Sequence, residues 1–148
     1  MQPNYLIKLS SQKYMCEKHL YNLDKYERDV AILSAELFEI PTWAIFAKTR
    51  WQKSIDARKA MSLVFREKTN KTLTQIGDIL SVAGYDHTTI LHAVQTGVNL
   101  YDTDDAFKAK VDKMFEVIND IKLNVLIKST SNMKIPAITS LQALAMVG

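Results

Sequence analysis

Cysteine, glycine and proline are all scarce in this 148-residue chain, and each shortage removes a class of structure. A single cysteine, Cys16, has no partner for an internal disulfide and suits a reducing compartment. Four glycines and three prolines are too few for the many tight turns of an all-β fold. No apolar run nears the roughly 18–20 residues that cross a bilayer. The start, Met1-Gln2-Pro3-Asn4-Tyr5, lacks the basic-then-apolar layout of a secretory signal. A phosphate-cradling G-x-x-x-x-G-K-[ST] loop is missing, and no Ser/His/Asp or Cys/His set stands out. The expectation is a cytoplasmic protein that is not an enzyme, with no cofactor, nucleotide or membrane partner.

What is present is a 47 % hydrophobic composition with Leu, Ile, Val, Met and Phe spread at helical spacing. That is enough for one domain with a real core, so the predicted fold is all-α with about six or seven helices. The net charge of +3 is unevenly placed. Residues 48–71 hold Lys48, Arg50, Lys53, Arg58, Lys59, Arg66, Lys68 and Lys71 against Asp56 and Glu67, a net +6. The rest of the chain is near −3, and such asymmetry suits a polyanion at one face, although a solvated helix surface explains it as well.

Along the chain, residues 1–10 read as loosely ordered, with Tyr5-Leu6-Ile7 as an apolar clasp, before a short helix over about 12–22. Asp24 caps a helix with Tyr26, Val30, Leu33 and Leu37 on one face, and Pro41 ends it and opens a short helix from Thr42 to Lys48. A basic connector, Thr49 to Ile55, leads to a helix over about 57–68. Its inner side is Ala57, Ala60, Met61 and Val64, and Arg58, Ser62 and Arg66 line the opposite side as an outward cationic stripe.

The next two helices carry the chemistry. Thr72-Leu73-Thr74-Gln75 has capping-box spacing, followed by an inner face of Leu73, Ile76, Leu80 and Ala83, with Gly84 as left-handed terminator. Asp86 can cap a second helix whose first turn is His87, Thr88 and Thr89, with Ile90, Leu91 and Val94 turned inward and an end near Val98. Helix, turn and polar-tipped helix is the order of a helix-turn-helix, whose tip can reach base edges in a major groove. Asp102 or Thr103 caps a last helix with Phe107, Val111, Met114, Ile118, Ile121 and Val125 at heptad-like spacing. With fewer than four heptads, packing within the domain is preferred to a dimer seam. Ser129-Thr130-Ser131-Asn132 breaks the pattern and Pro136 interrupts it, leaving Ala137 to Val147 as an apolar stretch that docks, binds a partner or is a tail.

The segment Thr69 to Asp78, with Asp86-His87-Thr88-Thr89-Ile90-Leu91-His92-Ala93, resembles the C-terminal double-stranded-DNA-binding domain of the bacterial replication initiator DnaA. The likeness extends upstream through Ala35 to Ile40, Lys48-Thr49-Arg50 and Ala57 to Met61. It divides the chain into an extension over 1–23, a DnaA-like domain over 24–127 and a tail over 128–148. The resemblance implies that Arg50 enters the minor groove and that Asp86, His87 and Thr88 read bases in the major groove. Leu73 would then touch thymine methyls, and Lys53, Arg58, Lys59, Arg66, Lys71 and Thr89 would hold phosphates. It also implies that the family's separate ATP-binding module is absent from this chain.

Some residues depart from the family. The Ser81–Tyr85 turn is longer than the usual Gly-Gly-Arg link, and Tyr85 stands where a basic residue precedes the Asp. Thr74 replaces a frequent proline, and Asp56-Ala57 an arginine-proline pair, so the DNA site can differ from the family's box. His87 and His92 are five residues apart, off a shared helix face, and Cys16 and His19 have no further ligand, so no metal site is expected. Trp43 and Trp51 are candidates to stack on bases, with core packing an equal reading for Trp43. The predicted function is sequence-specific binding of double-stranded DNA in replication initiation or its regulation, or in transcription regulation, by a phage or other mobile element among possible sources. The rival is a protein-interaction adaptor that recruits or inhibits a replication partner through the N-terminal helices, the last helix or the tail, with DNA binding vestigial.

Overall fold

Side-chain caps at Asp24, Thr72, Asp86 and Asp104 set where four of the helices begin. A computed structural model describes the backbone of residues 4–132 and the side chains of residues 11–119, with seven helices and no strand in that range. These are α1 (Asn4–Asn22), α2 (Lys25–Leu37), α3 (Trp43–Phe46), α4 (Gln52–Lys68), α5 (Leu73–Leu80), α6 (His87–Thr103) and α7 (Asp105–Asn132). Asp24 and Thr72 each accept from the third residue of their helix, while Glu27 and Gln75 reach back to the cap amide. Both reciprocal boxes satisfy amides that the first turn leaves without helical partners.

The chain falls into two compact units, one up to Met114 and the other from Phe115. In the first, α4 is the axle. It lies most extensively against α6 and also meets α2, α3 and α5. Ala57, Ala60, Met61, Ser62, Leu63, Val64 and Phe65 are all buried, so the helix is enclosed almost all round through its middle. Burying a side chain such as Met61 or Phe65 contributes about 1.5–3 kcal/mol before entropy is counted. The outward cationic stripe is therefore interrupted, because Ser62 is buried and only Arg66 points to water. Small residues permit close crossings. A Cβ on Gly97 of α6 would come within 3.3 Å of the Lys59 carbonyl oxygen on α4.

Several expected boundaries move. The first helix begins at Asn4, well before residue 12, while the side chains of the Tyr5-Leu6-Ile7 clasp lie outside the described residues. In α2 the buried face is Val30, Ala31, Ser34 and Ala35, with Leu33 and Leu37 only half-buried. Small residues take the inner face there, and Ser34 Oγ donates to the Ala57 carbonyl of α4. The helix ends on a left-handed Glu39 (φ 59°), with the amides of Glu39 and Ile40 donating to the carbonyls of Glu36 and Ala35. Much of the basic connector is helical, since α4 starts at Gln52.

Downstream, α5 stops at Leu80, and Gly84 (φ 82°) belongs to the following turn, leaving Ala83 exposed. α6 runs on to Thr103, so Asp104 caps α7, accepting from the amides of Ala106 and Phe107. Phe107, Val111, Met114 and Ile118 are buried as the spacing predicts, while the side chains of Ile121 and Val125 lie outside the described residues. Phe107 tilts against Phe38, over which Lys110 Nζ also sits at 4.8 Å. α7 continues through Ser129 to Asn132, and the expectations for Pro136 and for Ala137 to Val147 fall outside the described residues.

Candidate nucleic-acid interface

The interface is built from the α5–α6 corner upward. Gly77 lets that corner close. A Cβ there would lie 2.1 Å from the Tyr85 carbonyl oxygen, and the Tyr85 amide donates to the Gly77 carbonyl. The long Ser81–Tyr85 turn is thus strapped to the middle of α5 by main-chain contact. Asp86 follows in extended conformation (φ −71°, ψ 165°) and accepts from the Thr89 amide at 2.8 Å. That hydrogen bond, with smaller help from the Thr89 side chain and His87, holds the fully exposed Asp86 carboxyl below the ordinary carboxylate range.

Asp86, His87, Thr88 and Thr89 are all exposed at the tip of α6, while Ile90 behind them is 1 % exposed and anchors the helix. Leu91 does not turn inward as expected. It is 43 % exposed, because the buried stripe of α6 passes through Ile90 and Gly97 instead. Leu73 is half-buried at the first position of α5.

The candidate phosphate residues, and Arg50 expected in the minor groove, separate by what each touches. Arg50 and Arg66 are exposed and make no hydrogen bond or ion pair with a described residue, and Lys53 meets Glu39 at 3.6 Å in open solvent, a pair worth little. Lys59 and Thr89 are brought together with Tyr85 and His92 along an open cleft of about 230 Å³ between α4 and α6. Ile55, Leu80, Ile90 and Ala93 give it an apolar lining, and Arg58 and Ser62 also border it.

Arg58 and Lys71 are placed otherwise than expected. Arg58 aims its guanidinium at main chain, donating through one terminal nitrogen to the carbonyls of Ile45 and Ala47 and through the other to that of Thr49. Those carbonyls lie in α3 and in the link that follows it, where that of Ala47 also accepts from the Thr49 amide, and the fork of Arg donors suits the cluster. Burial draws the Arg58 guanidinium down from its ordinary value, and Tyr85 nearby offsets part of that. Arg58 is therefore a strut for the connector that presents Arg50. Lys71 is engaged at 2.9 Å with Glu27 of α2 in a partly buried pair. His92 was not anticipated at the cleft, although its spacing of three residues from Thr89 puts both on one side of α6.

The geometry is that of two capped helices at a tight corner, the second exposing a polar tip beside a basic helix. The helix-turn-helix family of the bacterial DnaA protein matches residues 29–96, from within α2 to within α6. Those residues form a DnaA-type helix-turn-helix domain. Over 111 residues, 72 % of this chain, the sequence is 30 % identical to the chromosomal replication initiator protein DnaA of Flavobacterium psychrophilum. The chain spans 22 % of that protein's length. In the DnaA-type domain here, α5 and α6 are the helix-turn-helix pair and α4 is the helix they pack on, whereas α1 and α7 lie outside the match. Among the described residues no helix is long and apolar enough to cross a membrane, and no group of three or more His, Cys, Asp or Glu could hold a metal ion.

Proposed function

We propose that this protein binds double-stranded DNA at a preferred sequence through the tip of α6, and acts in replication initiation or its regulation. The observation that carries the reading is the exposed run Asp86 to Thr89, capped, anchored by Ile90 and flanked by the cleft holding Lys59. Asp86, His87 and Thr88 are assigned to base edges in the major groove and Leu73 to thymine methyls. Arg50 is assigned to an A·T-rich minor groove, whose narrow form concentrates negative potential. Lys53, Lys59, Arg66 and Thr89 are assigned to phosphates. Arg58 and Lys71, already committed within the protein, are not.

Selection of duplexes from a random pool, followed by a mobility shift on the winner, tests this. Enrichment of one site with an A·T-rich flank is expected, and enrichment of none would remove the reading. The adaptor function would then lead. It is favoured by Tyr14, Met15 and Tyr21, which stand at least half exposed on α1, outside the matched domain.

A further inference from the structure

Trp51 has no part in the assignments above, yet it is poorly explained as core. Its side chain is 51 % exposed. It sits at the N-cap of α4, directly after Arg50, and makes no side-chain capping bond. Its ring meets the half-buried Trp43 edge-on, with centroids 6.1 Å apart and planes at 64°. Trp43 opens α3, whose next three residues, Ala44, Ile45 and Phe46, are buried. One indole is thus rooted near the core and steadies the other, which keeps a large apolar surface in water. The main chain beneath is held as well, because Arg58 grips the Thr49 carbonyl two residues before.

The position of Trp51 relative to the tip follows from the helix. Ile55, four residues on and so on the same face of α4, lines the cleft together with Thr89 and His92 of α6. Trp51 therefore flanks that cleft, about 6 Å further along the α4 axis. A duplex whose major groove holds the α6 tip would bring its adjoining minor groove to Arg50 and Trp51. The walls of that groove are deoxyribose, an apolar surface that a rigid indole can cover.

We infer that Trp51 is a DNA-contact residue, packing its indole on the sugar edges of the minor groove beside Arg50. The inference rests on the DNA-binding reading above and adds to it an uncharged, apolar contact that stabilises the seat of Arg50.

The test uses the full chain and a duplex carrying the site enriched from a random pool. Trp43→Phe leaves Trp51 as the only indole, and Trp51→Phe leaves Trp43. With Trp43→Phe, saturating duplex is expected to change the emission and to shield the indole from acrylamide. With Trp51→Phe, both changes should disappear. Trp51→Ala should weaken binding roughly tenfold, the size of a single aromatic contact with a nucleotide. Trp51→Phe should retain most of the affinity, and neither change should alter the salt slope, because no charge is lost. A duplex bound at wild-type affinity, with Trp51 as emissive and as accessible as in free protein, would overturn the inference and leave the DNA-binding reading intact. Failure of the wild type to bind any duplex would overturn both.

Discussion

His87 and Thr88 are the side chains whose removal should separate recognition from attachment. Both are exposed and belong to the first turn of α6, so truncation leaves the core untouched. His87→Ala or Thr88→Ala should cost about 1–3 kcal/mol on the selected duplex. Binding to random duplex should hardly change, and parallel titrations on both duplexes would show the split. Two arginines at equivalent sequence spacing should behave oppositely. Arg66→Ala, on the surface, should reduce the magnitude of the log K versus log salt slope by roughly 0.9 with no change in melting temperature. Arg58→Ala removes three hydrogen bonds to main chain and should destabilise the fold by at least about 1.5–3 kcal/mol. Arg58→Lys should not restore it, because one ammonium cannot reproduce the fork. A stable Arg58→Ala protein in thermal melts would show that the strut is dispensable.

At the scale of elements, the corner between α5 and α6 decides how the tip is presented. Gly77→Ala would drive a methyl into the Tyr85 carbonyl, which is main chain and cannot swing aside. The loss should reach the upper end of the roughly 1–3 kcal/mol that overpacking usually costs. Specific DNA binding should fall with it, since the turn that aims α6 is displaced. Denaturant melts and duplex titration together check this. The cap of α6 adds a pH signature. The Asp86 carboxyl titrates lower in the folded chain than its ordinary value of 3.8, because the charged form accepts from the Thr89 amide. Its stabilising effect is therefore complete above that ordinary value and is lost as pH falls through the lower, folded value. The stability difference between wild type and Asp86→Ala should shrink on acidification, leaving what the neutral carboxyl still contributes as a cap. With Asp86→Asn, which can still cap, that acid-linked part should be missing.

Over the whole molecule, charge is the property that a polyanion meets first. The net +6 over residues 48–71 lies on α4 and the loops at its ends. Folding reduces what that number offers, because Arg58 and Lys71 turn inward to carbonyls and a carboxylate. With Arg50, Lys53, Lys59 and Arg66 assigned to DNA, the slope of log K against log salt should be roughly −3 to −4 for duplex of any sequence. A slope near zero with affinity retained would mean that α4 does not lie along the phosphates.

What the sequence alone determined is local. Helical periodicity, the caps at Asp24 and Asp86 and the box at Thr72 depend on residues close in sequence, so they were legible without a partner, although the reciprocal contact of Glu27 with Asp24 was not read. The DnaA-type pair α5–α6 was legible for the same reason, since its motif is contiguous. Tertiary structure decided the rest. Arg58, Ser62 and Arg66 share one face in a helical projection, yet α4 is enclosed by four other helices and only Arg66 escapes. The Glu27–Lys71 pair and the Arg58 strut join residues far apart in sequence. The end of α5 was misplaced because Gly84 could terminate a helix at its own position. It instead shapes a turn whose Tyr85 is held by Gly77, and only the approach of that backbone puts the stop at Leu80.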